Sequence, residues 1–230
     1  MKREVAEQIL KESRESYDKM AGEFSASRGK FWEELAFLSE HATPAMRALD
    51  IGCGNGRFYP LLEKRGVTYT GLDSSKGLLG EARRAHQGGT WAEGDATALP
   101  FPDQSFDIAY SFAVIHHIPS DALREKFAAE AARVLMPGGM LIITAWDLWS
   151  PRHFLKFLQS GIKSIFSFSS LDVGDAWLTF GREKQKRFLH AFTSAELERL
   201  LTQNGFAIVG TEVIKRKSGE SNIVVIAKKK

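Results

Sequence analysis

The sequence predicts an α/β fold, a mostly parallel sheet with helices on both faces. Three observations carry that expectation. Short apolar runs alternate with amphipathic stretches of helical spacing along most of the 230 residues, the pattern of strand-helix-strand crossover units. The run Leu49-Asp50-Ile51-Gly52-Cys53-Gly54-Asn55-Gly56 reads as a buried strand breaking into a glycine-rich turn that opens a helix. Near the C-terminus, β-like runs at 206–214 and 222–227 are separated by Lys217-Ser218-Gly219. That connection is too short for a parallel crossover, so the two strands pair antiparallel.

The remaining elements follow in order. Amphipathic helices are expected over residues 3–24 and 31–41, the second stopping before Thr43-Pro44, and residues 1–42 together read as a helical cover. A strand at 48–51 leads to a helix at 56–65, a strand at 68–72 to a helix at 76–86, and a third strand lies around 90–92. The prolines of Leu99-Pro100-Phe101-Pro102 forbid a regular ladder. Residues 105–111 read as the fourth strand, and Asp121 as the cap of a helix reaching Leu135. Pro137-Gly138-Gly139 reads as a turn before the apolar run 140–145, which suits a central buried strand.

Between 148 and 192 the alternation fails. Phe154, Leu155, Leu158, Ile162, Ile165 and Phe166 recur at helical spacing among Lys156 and Lys163. An insertion here falls beside the carboxyl ends of the strands, where ligands of open α/β sheets bind, and so reads as a lid. A basic membrane-surface helix and plain core are the other readings. Thr193-Ser194-Ala195-Glu196 matches a capping box, and Gly205 ends that helix. One domain spanning 1–230 accommodates all of these elements.

Composition narrows the function. With 43% hydrophobic and 26% charged residues, the chain is that of a globular protein. No apolar run approaches the ~18 residues of a membrane span, and Met1-Lys2-Arg3-Glu4 lacks the apolar core of a secretory signal. A cytoplasmic location is the resulting expectation. The single Cys53 excludes an internal disulfide and argues against structural zinc. No metal is expected, since the adjacent His116 and His117 lack a third ligand at motif spacing. Residues 1–150 hold 17 Lys and Arg against 21 Asp and Glu, whereas 151–230 hold 14 against 7. A basic surface in the C-terminal third suits an anionic partner such as RNA, or is a solvated face with a Lys228-Lys229-Lys230 tail.

The glycine loop is not built for a pyrophosphate. A dinucleotide fingerprint needs a third small residue where Arg57 stands, and Asp50 before the loop would repel phosphates. Both features point to a ligand whose nearby end is cationic, and oppose a nicotinamide oxidoreductase. Asp73 follows Gly54 by nineteen residues at the tip of the second strand, where a carboxylate can accept both ribose hydroxyls. It can also belong to a helix N-cap with Ser74 and Ser75. The third strand leads to Gly94-Asp95-Ala96, which alone can also be an ordinary turn.

This succession of hydrophobic-Asp-hydrophobic-Gly-x-Gly-x-Gly, Asp73 and Asp95 resembles the class I S-adenosylmethionine (SAM) methyltransferases. The resemblance implies a Rossmann-like seven-stranded sheet with a reversed last strand, with SAM as cofactor and S-adenosylhomocysteine (SAH) as product. It implies that Asp95 takes the adenine amino group and the Ala96 amide a ring nitrogen. Asp50, Gly52, Gly54, Asn55, Asp73, Ser74, Ser111 and Ala113 complete the cofactor set, with Tyr17 and Arg28 from the cover. Arg28 can pair bidentately with the methionyl carboxylate, or form a surface ion pair. After the fourth strand, either His116 or His117 could orient the acceptor or take a proton, or fill structural hydrogen bonds. His116 is the residue named for catalysis.

A closer resemblance covers residues 17–201. Tyr17-Asp18 through Arg28 with Phe31-Trp32, the segment 111–118, Asp172-Val173 with Trp177, and Arg187-Phe188-Leu189-His190-Ala191-Phe192 are similar to tRNA wobble-uridine methyltransferases acting on 5-carboxymethyluridine. Leu189 stands where an aromatic residue is usual, and Gly174-Asp175-Ala176 replaces a more apolar, proline-bearing stretch. The resemblance implies a carboxylate nucleophile held by Arg187 and His190, a tRNA partner and a small activating subunit. A small-molecule acceptor (quinone, lipid or metabolite) and a non-catalytic SAM-binding subunit are the alternatives.

Overall fold

Seven strands form one sheet in the order β3-β2-β1-β4-β5-β9-β8. The computed structural model describes residues 1–150, 171–172, 174–180 and 185–230. The strands are β1 (Arg47–Ile51), β2 (Thr68–Asp73), β3 (Thr90–Glu93), β4 (Phe106–Phe112), β5 (Leu135–Trp146), β6 (Asp175–Phe180), β7 (Gln185–His190), β8 (Phe206–Lys215) and β9 (Ser221–Lys229). β1 to β5 pair in parallel, and β9 inserts antiparallel between β5 and β8. The expected reversed strand is therefore present, made by the 206–227 hairpin. β6 and β7 form a separate antiparallel pair that the alternation pattern did not foretell. The apolar stretch 154–166 lies outside the described residues.

The helices are α1 (Arg3–Lys19), α2 (Ala21–Ser27), α3 (Tyr59–Glu63), α4 (Lys76–Ala85), α5 (Asp121–Val134) and α6 (Ser194–Gln203), with 3-10 turns at Glu33–His41 and Ile115–His117. The single helix expected over 3–24 breaks at Met20. There the Asp18 carboxylate turns away to accept the Gly77 N–H at 2.9 Å and the Ser75 hydroxyl at 2.6 Å, docking the α1–α2 corner on the start of α4. A Cβ on Gly77 would lie 2.9 Å from that of Ala21, so glycine permits the approach.

Ser120, not Asp121, caps α5, accepting the Leu123 N–H, while Asp121 pairs with Arg124. Pro137-Gly138-Gly139 falls inside β5 as an irregularity between the pairs Phe106↔Leu135 and Ile108↔Met140. Between those pairs one residue of β4, Asp107, stands against four of β5, residues 136–139, and Gly138 takes φ +75°.

The sheet buries an apolar layer on each face. Leu49, Ile51 and Ile143 meet Phe127 of α5 and Leu197 of α6 on one side. Tyr110, Ile142 and Val224 meet Leu35, Leu38 and Phe58 on the other. Side chains alternate along a strand, so Asp50 shares the second face with Ala48, and its neighbour is Tyr69 of β2. No helix among the described residues is long and apolar enough to cross a membrane.

Candidate active site

The chain lays β2 and β3 to one side of β1, then crosses to β4 and β5 on the other. At the carboxyl end of this reversal, the usual place for a ligand in an open α/β sheet, lies a cleft of about 660 Å³. Its floor is the glycine loop. Gly52 and Cys53 donate their N–H groups to the Leu72 carbonyl at 2.7 and 2.9 Å. Gly54 donates to Asp73 Oδ2 at 2.8 Å, and Asp73 Oδ1 accepts the Ser75 N–H at 2.9 Å. Ser75 caps α4 through Leu78 N–H, so Asp73 serves the turn and the cleft wall together.

Two of the loop glycines are small for different reasons. Both have positive φ, +76° at Gly52 and +56° at Gly54. A Cβ on Gly52 would strike Val114 Cγ2 at 2.3 Å, whereas one on Gly54 would meet nothing nearer than 4.0 Å and would project into the cleft. The protein fills the space beside Gly52 and leaves the space beside Gly54 open. Cys53 is buried, and burial pushes its thiol well up, as befits a packing residue.

Three aspartates line the cleft. Asp50 is buried, accepts the Tyr69 hydroxyl at 2.8 Å, and is pushed up to about 7 by loss of solvent. Burial also raises Asp73, against the pull of the backbone N–H groups. Asp95 Oδ1 accepts both the N–H and the hydroxyl of Thr97, at 2.7 and 2.8 Å. Ser74 and Ala96 adjoin these carboxylates on the wall.

Cationic and aromatic side chains line the same cleft. α1 supplies Tyr17, the segment after α2 supplies Arg28, Phe31 and Trp32, and β7 supplies Arg187. Asn55 ties the loop to the cover, its Nδ2 donating to the Arg28 carbonyl at 3.2 Å while its buried Oδ1 has no partner among the described residues. Ala113 adopts φ +59°, a conformation unusual without glycine. Its N–H is held by the carbonyl and hydroxyl of Thr144, at 3.1 and 3.0 Å, and the turn after it delivers His117 to the cleft.

Three expected site residues do not line the cleft. Ser111 shares the opposite face of β4 from Phe112, because neighbouring strand residues alternate. His116 is fully buried behind the wall, its Nδ1 accepting the Trp146 N–H at 3.3 Å, its Nε2 without a partner among the described residues, and its pKa driven well down by burial. His117 takes the place given to it. Nδ1–H donates to the Phe188 carbonyl at 3.1 Å, leaving Nε2, 3.2 Å from the Tyr17 hydroxyl, as acceptor. Burial pushes His117 down to about 4, so the ring is neutral at pH 7.

His190 lies three positions from Arg187 on β7 and so faces away from it. It bonds Asp175 Oδ1 at 2.7 Å and Glu196 Oε1 at 2.8 Å. Burial lowers its pKa, but these two hydrogen bonds overcome that and raise it overall. Glu196, the expected partner in the capping box, thus turns to His190, while Thr193 still caps α6 by accepting the Glu196 N–H. Arg187 does reach the wall, its guanidinium 4.8 Å from the Tyr17 ring and its Nη2 2.8 Å from Met20 Sδ. Arg57, stacked 3.8 Å from the Trp32 ring, is a wall residue that sequence reasoning used only as an exclusion.

Carboxylates and guanidiniums in one cleft, an open face at Gly54 and an Asn55 oxygen unpartnered among the described residues suit a nucleoside carrying a charged amino-acid tail. The comparisons agree. Residues 49–143 match a family model described as a methyltransferase domain. A putative methyltransferase of Encephalitozoon cuniculi is 36% identical over 199 residues, 85% of this chain and 88% of that protein. The tRNA (carboxymethyluridine(34)-5-O)-methyltransferase of Arabidopsis thaliana is 34% identical over 56% of this chain, but only 31% of that protein is covered. Among solved structures, a SAM-dependent methyltransferase from Methanosarcina mazei superposes with TM-score 0.73 at 24% identity, covering 87% of this chain and 98% of that one. A putative methyltransferase of Haloferax volcanii, solved in complex with the Trm112 methyltransferase activator, gives 0.68 at 16% identity, covering 94% and 97%. By its relatives, its strand order and its glycine loop, the chain belongs to the SAM-dependent methyltransferases.

Proposed function

We propose that the cleft transfers a methyl group from SAM to a carboxylate, that of a modified tRNA wobble uridine. SAM supplies an electrophilic methyl on a cationic sulfur, and the protein supplies alignment and electrostatics. Asp73 and Ser74 would hold the ribose, Asp95 and Ala96 the adenine, and Asp50, Gly52, Gly54, Asn55, Ala113, Tyr17 and Arg28 the amino-acid end. Alignment of acceptor and methyl alone can lower a barrier by about 7–11 kcal/mol.

The observation that carries the acceptor class is a guanidinium on the wall beside side chains unsuited to act as a base. Arg187 stands next to Tyr17 and His117. Burial raises the Tyr17 phenol and pushes His117 down to about 4. Both His117 nitrogens are engaged. Asp50 titrates near 7 but lies beneath the loop with one oxygen on Tyr69. An acceptor that arrives as an anion needs no base, and Arg187 would orient it.

The Arabidopsis relative's name supports the uridine acceptor, and the Haloferax complex supports a small activating partner for this chain. Labelled methyl transfer from SAM into tRNA carrying 5-carboxymethyluridine, followed by nucleoside analysis, tests the proposal with and without such a partner. Methyl ester on that nucleoside is the expected product. Protein that binds SAM yet labels only small carboxylates or other metabolites would refute the tRNA acceptor.

A further inference from the structure

Arg57 directly follows the last glycine of the loop, and its guanidinium lies 3.8 Å from the centre of the Trp32 ring. Trp32 is itself fixed. Arg216 lies 4.8 Å from the same ring and is paired with Glu220, while the Lys217 N–H donates to Glu34 Oε1 at 2.6 Å. Arg28 stands 4.6 Å from the Phe24 ring, with its backbone carbonyl bound by Asn55. Neither the Arg28 nor the Arg57 guanidinium makes a hydrogen bond or ion pair among the described residues. Both guanidiniums therefore line the cleft with no carboxylate in direct contact among the described residues, Asp50 acting on Arg57 and Glu220 on Arg28 only across space. Burial first, and then neighbouring guanidiniums, lower both pKa values, Arg57 to about 10, which leaves both charged at neutral pH.

Arg28 and Arg57 are half-buried, and a partly desolvated charge without a direct partner gains from a ligand that neutralises it. A guanidinium stacked flat on a ring keeps its N–H edge free for a two-pronged bond to a carboxylate. We propose that Arg57 joins Arg28 in a two-guanidinium clamp on the carboxylate of the cofactor's amino-acid end, so that the cleft selects its cofactor by that carboxylate as well as by adenosine. The inference rests on the cofactor reading of the cleft. Asp50, on β1 just before the loop, would face the adjoining ammonium.

Calorimetry on the full chain with SAH and with S-adenosyl-thiopropylamine, which lacks only the carboxylate, tests the clamp. Removing the carboxylate should weaken binding to the wild type about 100-fold. Arg57→Gln should bind SAH about tenfold or more weaker, and should lose much less than the wild type when the carboxylate is removed. The comparison is made between two ligands on each variant, so a partly unfolded sample does not imitate the effect. Should the Gln variant not fold, Arg57→Lys decides, because it keeps the charge without the fork and should give an intermediate ratio. An unchanged ratio in either variant overturns the clamp while leaving cofactor binding intact. A wild type that takes up no SAH sinks the cofactor reading and the clamp with it.

Discussion

Alanine at Gly52 and at Gly54 should fail in different ways. At Gly52 the new methyl would sit 2.3 Å from Val114 Cγ2, 3.1 Å from Cγ1 and 3.3 Å from Cβ, on a backbone at φ +76°. The left-handed conformation costs about 1–2 kcal/mol, and overpacking adds about 1–3 kcal/mol. Gly52→Ala should therefore lose about 2–5 kcal/mol, a fall of roughly 1 M or more in urea midpoint. Gly54→Ala incurs the backbone term alone, about 1–2 kcal/mol, because its methyl finds nothing nearer than 4.0 Å. That methyl occupies the cleft, so SAH affinity should fall about tenfold or more, the equivalent of ~1.4 kcal/mol. Urea unfolding and calorimetry on both variants, with Val114→Ala added to each, give the full comparison. Val114→Ala should restore part of the stability of Gly52→Ala and nothing to Gly54→Ala. If Gly52→Ala unfolds like the wild type, or Gly54→Ala binds SAH as tightly, the division of labour in the loop is wrong.

Three further outcomes follow from the titrating groups. His190→Ala leaves the carboxylates of Asp175 and Glu196 without their shared partner, so stability at pH 6 should drop by about 3–5 kcal/mol. Because His190 has a raised pKa, its contribution is complete below its ordinary value and fades as pH rises through the folded one; a wild-type/variant difference that grows with pH would contradict this. Asp50, held near 7 by burial, binds a proton in the folded chain that the unfolded chain releases from about pH 4 upward. Ligand-free stability should consequently fall between pH 4 and 7 with a slope of up to about one proton, and Asp50→Asn should flatten that slope. With His117 near 4, kcat on saturating acceptor should be flat from pH 6 to 8, and a limb near 7 that disappears in His117→Gln would show that the ring acts as a base.

The sequence made the chemistry of the floor legible because local rules govern it. Glycine spacing, the interval from Gly54 to Asp73 and the short 215–221 connection each reflect backbone geometry that few alternatives satisfy. What it could not convey depends on which way side chains turn in three dimensions. The 3-10 turn at 115–117 sends His117 to the cleft and His116 behind it, a choice invisible in two adjacent identical residues. Strand parity separates Arg187 from His190, yet the parity could be applied only once residues 185–190 were known to form a strand. Glu196 satisfied a local capping pattern and was claimed by a histidine across the fold. Arg57 was visible as a departure from one loop motif, while its partner ring came from Trp32, far away in the chain.

The claim on which everything else stands is that this cleft accommodates a sulfonium nucleoside through Asp73 and the arginines that line it. Calorimetry of the purified chain with SAM, SAH and NADH, repeated on Asp73→Ala, measures it directly. One SAM or SAH per chain, no NADH, and a marked loss of affinity in the variant is the result predicted. Uptake of NADH without SAM or SAH, or SAH binding indifferent to Asp73, would contradict it.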